Sequence, residues 1–276
     1  MQTPITFPGL GIELNPSPIA FSVFGKDIYW YGVIIALGFL AAYLVALRKA
    51  KKFGFTEDDI LDMVFWAIPA GVIGARLYYC IFYWDLYRGN PISCLYIWEG
   101  GLAIYGGVIA GALGLMLFSR LKKRPLGVTL DLAAFGVIIG QIFGRWGNFF
   151  NREAHGAETD SLFRMGLYEG GTVRYFHPTF LYESVWNLIG LVLMHLISRR
   201  RKFDGEIALF YLAWYGLGRM WVEGLRTDSL YLFGTGIRVS QRVAALCLLV
   251  FGGLLGYILL IKKPDGSQLY VNKKQG

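Results

Sequence analysis

Seven long apolar runs are the feature that most constrains this chain of 276 residues. A helix needs roughly 20 apolar residues to cross the hydrocarbon core of a bilayer. Runs of this kind cover residues 28–47, 60–83, 101–119, 128–147, 178–198, 206–220 and 243–261, the sixth being short and interrupted by Arg219. With only 17% charged residues, the chain could not shield seven such helices from water. The sequence therefore predicts an all-α integral membrane protein with seven transmembrane helices, a single polytopic domain over residues 1–276.

The lysines and arginines between the runs predict how the helices are oriented. One side carries clusters of them: Arg48, Lys49, Lys51, Lys52, Arg120, Lys122, Lys123, Arg124, Arg199, Arg200, Arg201, Lys202, Lys262, Lys263, Lys273 and Lys274. The other side carries fewer: Lys26, Arg88, Arg152, Arg164, Arg174, Arg226 and Arg238. Because cytoplasmic loops hold the positive excess, we expect an extracytoplasmic N-terminus and a cytoplasmic C-terminus. Anionic lipid of the inner leaflet then explains the net charge of +8, and no nucleic-acid partner is predicted.

Two segments are expected on the extracytoplasmic side. Residues 1–27 are apolar, rich in Pro and Gly and without the basic start of a cleavable signal peptide, so we expect them to lie along the outer interface. Residues 149–177 form the largest outer loop, between the fourth and fifth runs. The three cysteines and three histidines have no metal or redox spacing, so no metal and no cofactor is predicted.

Ionisable side chains inside apolar runs are costly in lipid and usually serve a function. Asp62 and Asp131 follow Thr56 and Thr129 near cytoplasmic helix starts, where capping and the helix dipole explain them. Arg76 lies deeper in its run, and a structural bridge between helices and a functional role are both open for it.

Four other charged residues are expected at one depth in the outer half of the membrane. They are Arg145 at the end of the fourth run, Glu183 at the start of the fifth, and Arg219 and Glu223 closing the sixth, with Tyr31, Tyr182 and Tyr215 at similar depth. Interhelical salt bridges are one explanation, and a polar cavity open to the outer leaflet is the one we favour. Two guanidinium groups suit a phosphate, which they can bind as a fork. In a lipid-facing cavity, we expect that phosphate to belong to a phospholipid head group.

The stretch GRWGNFFNREAHG, residues 144–156, places further polar groups at the end of the fourth run. Asn148 and Asn151 can donate hydrogen bonds to ester or hydroxyl oxygens, and the flanking glycines let the backbone approach a ligand. In the third run, the glycines of WEGGLAIYGGVIAG favour tight helix packing, and Tyr105 is a lone hydroxyl among small residues.

Five motifs in one order resemble those of the prolipoprotein diacylglyceryl transferase family, bacterial inner-membrane enzymes. They are WYG (30–32), WEGGLAIYGG (98–107), GRWGNFFNREAHG against the family form G-R-x-G-N-F-x-N-x-E-x-x-G, HPTFLYE (177–183) and YGLGRMWVEGLR (215–226). Two positions depart from the family pattern. Tyr105 stands where some members carry a histidine proposed to be catalytic, and Ala154 with His155 stands where a Leu-Trp pair is frequent.

The resemblance implies a reaction, its substrates and a location. The diacylglyceryl group of phosphatidylglycerol would pass to the lipobox cysteine thiol of a prolipoprotein, forming a thioether and releasing glycerol 1-phosphate. The enzyme would lie in the bacterial cytoplasmic (inner) membrane with its active site towards the extracytoplasmic leaflet. This chemistry needs a thiol of pKa about 8.5 to lose its proton, and cations in place for the leaving phosphate.

We expect the site residues to fall into three groups. In catalysis we expect Arg219, on the charge of the leaving group, and Tyr105 and Glu153, in deprotonating the thiol or relaying its proton. For substrate binding we expect Arg145, on the lipid phosphate, with Asn148, Tyr31, Asn151 and Gly156. To orient these groups we expect Glu183, Tyr182, Glu223, Arg226 and His177, although His177 suits a helix cap equally well.

Two other function classes fit part of the pattern. A phospholipid phosphatase or acyltransferase also needs arginines near a lipid phosphate, but His155 and His177 show no nucleophile pattern. A lipid or anion transporter is the non-enzyme alternative. Against it, the charged residues gather at one depth rather than along a path through the membrane.

Overall fold

Long helices dominate the fold. A computed structural model describes residues 3–226 and 239–273. The helices are α1 (Trp30–Ala50), α2 (Glu57–Phe82), the single turn α3 (Trp84–Tyr87), α4 (Ile104–Leu121), α5 (Leu126–Asn151), α6 (Thr179–Arg199), α7 (Glu206–Leu225), α8 (Val239–Cys247), α9 (Gly253–Tyr257) and the short α10 (Tyr270–Lys273). Two π-helical turns, Leu248–Gly252 and Ile258–Lys262, follow α8 and α9 and make them one long segment.

Six helices in the described residues are long and apolar enough to cross a membrane. They are Trp30–Phe53, Glu57–Phe82, Ile104–Leu121, Leu126–Asn151, Thr179–Arg199 and Ser240–Lys262. The predicted class of a helical integral membrane protein is thereby confirmed. The sixth predicted run forms α7, which is 20 residues long, contains Glu206, Arg219 and Glu223, and is not one of these six helices. The count of seven spans and the orientation stay predictions; Arg238 and Lys274, which entered the charge comparison, lie outside the described residues.

The two segments predicted to be extracytoplasmic contain β-structure, which the hydropathy pattern did not predict. Near the N-terminus lie β1 (Ile5–Phe7), β2 (Ile12–Leu14) and a hairpin of β3 (Ile19–Val23) and β4 (Lys26–Tyr29). The loop after α5 contains β5 (Met165–Glu169) and β6 (Thr172–Phe176). One antiparallel sheet has the order β2-β1-β5-β6, in which Thr6 pairs with Gly166.

A small apolar core fastens this sheet to the end of the helices. It comprises Ile5, Phe7, Phe149, Met165, Leu167, Phe176 and Phe180. Phe149 comes from α5 and Phe180 from α6, so burial of these rings ties the sheet to the two helix ends that flank the loop. Residues 5–14 are therefore held by the loop of residues 149–177, in addition to the contact with the outer interface of the membrane that the sequence predicted.

Helices α2 and α4 pack closely through glycines, as the small-residue run in α4 predicted. A Cβ atom on Gly106 would overlap the carbonyl of Gly74 and the Cβ atom of Tyr78. A Cβ atom on Gly114 would lie 2.5 Å from the carbonyl oxygen of Trp66. Only glycine allows the two backbones to approach this far at these positions.

Arg76 is a structural anchor, which decides between its two predicted roles. It is buried, and its guanidinium donates to four backbone carbonyls: Ser93 at 2.7 Å, Cys94 at 2.7 Å, Gly100 at 2.6 Å and Gly101 at 3.1 Å. These carbonyls belong to the irregular segment between α3 and α4. The buried charge thus holds that segment against α2 and directs the chain into α4.

Neither Asp62 nor Asp131 caps its own helix, so that prediction was wrong for both. Thr56 caps α2 in a box with Asp59: the Thr56 N–H donates to the Asp59 carboxylate at 2.8 Å, and the Asp59 N–H donates to the Thr56 hydroxyl at 3.2 Å. Asp62, one turn further on, forms an ion pair with Lys122 instead. The reason is position, because only residues in the first turn can reach the free N–H groups of a helix.

Asp131 caps a neighbouring helix. It lies in the first turns of α5, and its carboxylate accepts from the backbone N–H groups of Gly205 (2.8 Å), Ile207 (2.9 Å) and Ala208 (2.9 Å) at the start of α7. Arg201 donates to the same carboxylate at 3.2 Å. Asp131 is fully buried, so these four donors offset the cost of removing its charge from water.

We expect Asp131→Asn to destabilise the protein by about 3 kcal/mol, because Arg201 and the α7 N–H groups lose a buried carboxylate. Thermal unfolding in detergent measures the effect as a lower midpoint. Asp85→Asn is the control, since Asp85 is an exposed carboxylate that pairs with Arg88. An unchanged midpoint for Asp131→Asn would show that this cap does not stabilise α7.

Candidate active site

A cavity of about 470 Å³ lies where α5, α6 and α7 meet, with Tyr31 of α1 and Ile104 of α4 also in its wall. Arg145 and Arg219, which the sequence placed at one depth, both line it. Their side chains are 25% and 18% exposed, so both guanidinium groups are largely withdrawn from solvent yet face a common void.

Glu183 is the centre of the charged cluster. Its carboxylate lies 2.7 Å from Arg145, 3.7 Å from Arg219 and 3.5 Å from Arg226. Arg219 also pairs with Glu223, one turn along α7, at 2.5 Å. The two explanations offered for these residues are therefore compatible, because the salt bridges form the wall of the cavity.

Among the described residues, the cavity wall has more positively charged than negatively charged side chains. Two arginines, Arg145 and Arg219, line it with one carboxylate, Glu183. Both guanidinium groups share that carboxylate, and each keeps N–H groups that can turn towards the void. A wall of this composition attracts an anion.

Polar side chains at the end of α5 continue from Arg145 to the lip of the cavity. Arg145 donates to the side-chain oxygen of Asn148, Oδ1, at 3.3 Å. The side-chain N–H of Asn148 donates to the Glu153 carboxylate at 2.9 Å. Asn151 donates to the same Glu153 oxygen at 3.3 Å. Asn148 lines the cavity, whereas Asn151 and Glu153 lie outside the set of described lining residues. Their contacts orient the Asn148 amide.

Gly147 allows Tyr31 to lie against α5. A Cβ atom on Gly147 would come within 2.7 Å of the Tyr31 ring, so a larger residue would displace that ring from the cavity wall. This explains in physical terms why a glycine between Arg145 and Asn148 matters to the site. Tyr31 is brought to the cavity as predicted.

Gly156 is placed at a backbone crossing. Its N–H donates to the His177 carbonyl at 2.9 Å, and a Cβ atom here would lie 2.8 Å from the Leu225 carbonyl oxygen. Gly156 thereby joins the outer loop to the start of α6 and the end of α7. It is not among the described residues of the cavity wall, so the geometry favours a packing role over direct substrate contact.

His155, His177 and Tyr182 lie in the outer loop and at the start of α6. His177 Nδ1 is 3.4 Å from the Tyr182 hydroxyl, and burial lowers the pKa of His177, which keeps it neutral near pH 7. His155 contacts Glu169 at 3.1 Å and packs on the Phe176 ring. The described cavity wall includes none of the three.

Tyr105 lies next to the cavity, in the first turn of α4. The preceding residue, Ile104, lines the void, and Tyr105 itself is 46% exposed. It is near enough to Tyr215, a lining residue, for the two to interact electrostatically. The hydroxyl can therefore reach the edge of the site, although the wall forms without it.

A second, apolar void of about 560 Å³ adjoins the polar one. It lies between α1, α2, α4 and α5, with Ile35, Met63, Leu115 and Phe143 among its lining residues. Val137 and Gly140 line both voids. A polar compartment with two arginines thus adjoins a compartment suited to hydrocarbon chains.

Comparison with known proteins decides the family. The family model described as prolipoprotein diacylglyceryl transferase matches residues 18–259, a range that includes every lining residue of both voids. The chain belongs to the prolipoprotein diacylglyceryl transferase family. The resemblance inferred from the five motifs is confirmed, and family membership makes the protein a transferase.

Curated relatives named phosphatidylglycerol--prolipoprotein diacylglyceryl transferase match along most of their length. One from Lactobacillus delbrueckii subsp. bulgaricus is 43% identical over 274 residues, covering 94% of this chain and 98% of the relative. One from Enterococcus faecalis is 42% identical over 269 residues, covering 93% and 95%. One from Lactiplantibacillus plantarum is 45% identical over 255 residues, covering 88% of each.

Two lining residues of this diacylglyceryl transferase family member were missed by sequence reasoning. Gln141 and Asn187 are uncharged residues inside apolar runs, and both line the polar cavity. The available signal was their spacing, since each lies four residues from a charged lining residue, Arg145 or Glu183, and therefore on the same helix face.

Proposed function

We propose that the protein transfers the diacylglyceryl group of phosphatidylglycerol to the lipobox cysteine thiol of a prolipoprotein. The thiolate sulfur attacks the glycerol carbon that carries the phosphate ester. A C–S bond forms as the C–O bond breaks, and glycerol 1-phosphate leaves with the bonding electrons. The observation that carries this proposal is the shared cavity of Arg145 and Arg219, which adjoins an apolar void.

The two arginines act on different parts of the phosphate chemistry. Arg145, held by Glu183 and Asn148, binds the lipid phosphate and positions the head group. Arg219, held by Glu223 and Glu183, stabilises the charge that develops on the leaving group. The phosphate passes from one negative charge towards two, so cations already in place bind the transition state more tightly than the lipid.

The lipid tails occupy the apolar void. Because Val137 and Gly140 line both compartments, a head group beside the arginines has its chains directed between α1, α2, α4 and α5. Burying hydrocarbon there contributes binding energy, while the polar wall selects the anionic head.

The thiol proton passes to Tyr105 or Glu153. Each is linked to a lining residue of the cavity: Tyr105 directly follows Ile104, and Glu153 accepts a hydrogen bond from Asn148. Either group can receive the proton directly or through water.

We expect Tyr105→Phe to lower kcat about tenfold or more while the protein stays folded, because proton transfer loses its partner. The rate of transfer to a lipobox peptide measures this. Tyr168→Phe, which removes an exposed hydroxyl from the outer sheet, is the control. Unchanged kinetics in Tyr105→Phe, together with a large loss in Glu153→Gln, would assign the proton to Glu153 instead.

The protein spans the cytoplasmic membrane seven times in this proposal, with the N-terminus outside, the C-terminus inside and the active site near the extracytoplasmic leaflet. Support comes from the distribution of basic residues: α5 begins after Arg120, Lys122, Lys123 and Arg124 and ends at the cavity.

A cysteine at Ser17, which is exposed in the segment before β3, is expected to react with a membrane-impermeant maleimide in intact cells. Lys123→Cys, between α4 and α5, is expected to react only after the cells are opened. The wild-type chain, with its own three cysteines, gives the background. Labelling of Lys123→Cys alone in intact cells would reverse the proposed orientation.

The proposed reaction is tested with purified protein, phosphatidylglycerol and a lipobox peptide in detergent micelles. We expect the peptide mass to increase by the diacylglyceryl group. Alkaline hydrolysis should then remove the two ester-linked acyl chains and leave a glyceryl group on the sulfur, because a thioether resists alkali, whereas a thioester would be cleaved back to the free thiol. Lipid phosphate release without peptide modification would indicate a phosphatase, and lipid movement between vesicles without either product would indicate a transporter.

A further inference from the structure

We propose that Gln141, Asn187 and Tyr215 form a neutral polar layer that binds the ester carbonyls of the phospholipid and thereby selects ester-linked over ether-linked lipid. The inference rests on the proposed function and adds a chemical selectivity to it. The three residues are hereafter called the neutral layer.

Each member of the neutral layer lies four residues from a charged residue on the same helix. Gln141 precedes Arg145 on α5, Asn187 follows Glu183 on α6, and Tyr215 precedes Arg219 on α7. All six side chains line the polar cavity. A spacing of four puts the members of each pair on one helix face, about 6 Å apart along the axis.

On α5 and α7 the neutral residue precedes the charged one, whereas on α6 it follows it. This reversal puts all three neutral residues on one side of the charged cluster. The start of α5 contacts the start of α7 through Asp131 and Ile207, so these two helices run in the same direction. The end of α5 contacts the start of α6 through Arg145 and Glu183, so α6 runs in the opposite direction. Four residues back on α5 and α7 and four residues forward on α6 therefore reach the same depth.

A reciprocal tryptophan contact fixes this alignment. The Trp186 indole donates to the Trp214 carbonyl at 3.2 Å, and the Trp214 indole donates to the Trp186 carbonyl at 3.1 Å. The two rings stack with centroids 4.2 Å apart. Asn187 and Tyr215 directly follow these tryptophans in the sequence. The contact between α6 and α7 therefore fixes the positions of Asn187 and Tyr215 relative to each other along the helix axes.

The neutral layer has unused hydrogen-bonding capacity. Gln141 Oε1 is buried without a hydrogen-bond partner among the described residues, and turning the amide by 180° presents its N–H group at the same place. Asn187 is only 7% exposed, and within the described part of the chain its amide and the Tyr215 hydroxyl have no hydrogen-bond partner. Buried amides normally have one, and Tyr215, which is 36% exposed, lines the same cavity, so the three groups point to a ligand with polar atoms at this depth.

The polarity along α5 follows the order of groups in a glycerophospholipid. Arg145, Gln141 and Val137 lie on successive turns and all line the polar cavity, and Val137 also lines the apolar void. The wall therefore passes from charged to neutral polar to apolar. A phospholipid passes from phosphate to ester carbonyls to hydrocarbon in the same direction, so the ester groups meet the neutral layer, whose amide N–H and phenol O–H groups can donate to them.

The test compares phosphatidylglycerol with its dialkyl-ether analogue of equal chain length, both offered to purified protein with a lipobox peptide. We expect wild type to transfer the ester lipid with a kcat/KM about tenfold or more above that of the ether lipid, because the ether lacks the carbonyl acceptors. Gln141→Leu, Asn187→Leu and Tyr215→Phe are each expected to lower the ester value about three- to tenfold and to lower the ether value less, so that the ester-to-ether ratio falls.

The ether lipid reports whether each variant is still folded and competent. Tyr257→Phe is the matched control for Tyr215→Phe, since it removes the same hydroxyl from an exposed tyrosine near the end of α9. Equal use of both lipids by wild type would overturn the neutral layer as an ester site and leave the proposed function standing. Equal losses with both lipids in the variants would also overturn it, while failure of wild type to modify the peptide with either lipid would overturn the proposed function itself.

Discussion

Arg145→Lys is expected to lower kcat/KM for diacylglyceryl transfer about 100-fold or more, although the positive charge is kept. Arg145 already uses its guanidinium in two directions, to Glu183 at 2.7 Å and to Asn148 at 3.3 Å. A planar guanidinium can keep both contacts and still present N–H groups to a phosphate, whereas a lysine ammonium cannot span the same positions. The expected loss is of the size seen when one pre-placed donor for a developing charge is removed.

The measurement is the initial rate of lipobox peptide modification over a range of phosphatidylglycerol concentrations. Arg88→Lys is the matched control, because Arg88 is an exposed arginine that pairs with the nearby Asp85. A wild-type rate in Arg145→Lys would contradict bidentate recognition of the phosphate and reduce Arg145 to a source of positive charge.

Glu183→Gln is expected to cause the second large loss of stability and activity, because the Glu183 carboxylate positions three guanidinium groups. The Glu183 side chain is 12% exposed and lies within 4 Å of Arg145, Arg219 and Arg226. A neutral amide leaves these charges without their common partner in a poorly hydrated site. We expect about 3 kcal/mol of destabilisation, and at temperatures where the variant is folded a loss of kcat/KM of about 100-fold, because the arginines no longer hold their catalytic positions.

Two further variants separate positioning from general stability. Glu183→Asp keeps the charge on a shorter side chain, so we expect it to recover most of the thermal stability and only part of the activity. Glu158→Gln is the control, as Glu158 is an exposed carboxylate paired with Arg174 in the outer sheet region. Full activity in folded Glu183→Gln would show that the arginines are positioned without Glu183.

The long helices could be predicted because lipid imposes a simple requirement. Backbone groups in a bilayer must be hydrogen-bonded within the chain, so an apolar run of sufficient length forms a helix whatever its neighbours do. The predicted and observed bounds of α1, α2 and α4 agree to within a few residues. Helix α7 runs to Leu225, five residues beyond its predicted end at 220, because Arg219 and Glu223 pair with each other inside the helix and do not terminate it.

The outer strands could not be predicted in the same way. Strand β1 has three residues, and it pairs with β5, about 160 residues away in the chain. A strand this short has no measurable alternation of apolar and polar residues. Ile5 and Phe7 can be recognised as buried strand residues only once their packing partners Phe149 and Phe176 are known.

The candidate site was predictable where charge marked it. Arg145, Arg219 and Glu183 stood out because ionisable groups are rare in apolar runs, and the structure brings them to one cavity. Gln141 and Asn187 of the neutral layer escaped notice because a glutamine or asparagine in an apolar run is a weak signal, and so did the role of Asp131, whose partners lie on another helix.

The amino-acid residues alone were enough to predict a helical membrane protein of the prolipoprotein diacylglyceryl transferase family, because helix formation in lipid and family motifs are both local properties of the residues. The packing of the helices was needed to learn that Glu183 contacts three arginines, that Arg76 and Asp131 are structural, and that the charged, neutral and apolar residues of the site follow one another along α5. Those contacts depend on the rotation and relative height of packed helices, which side-chain packing between distant segments sets.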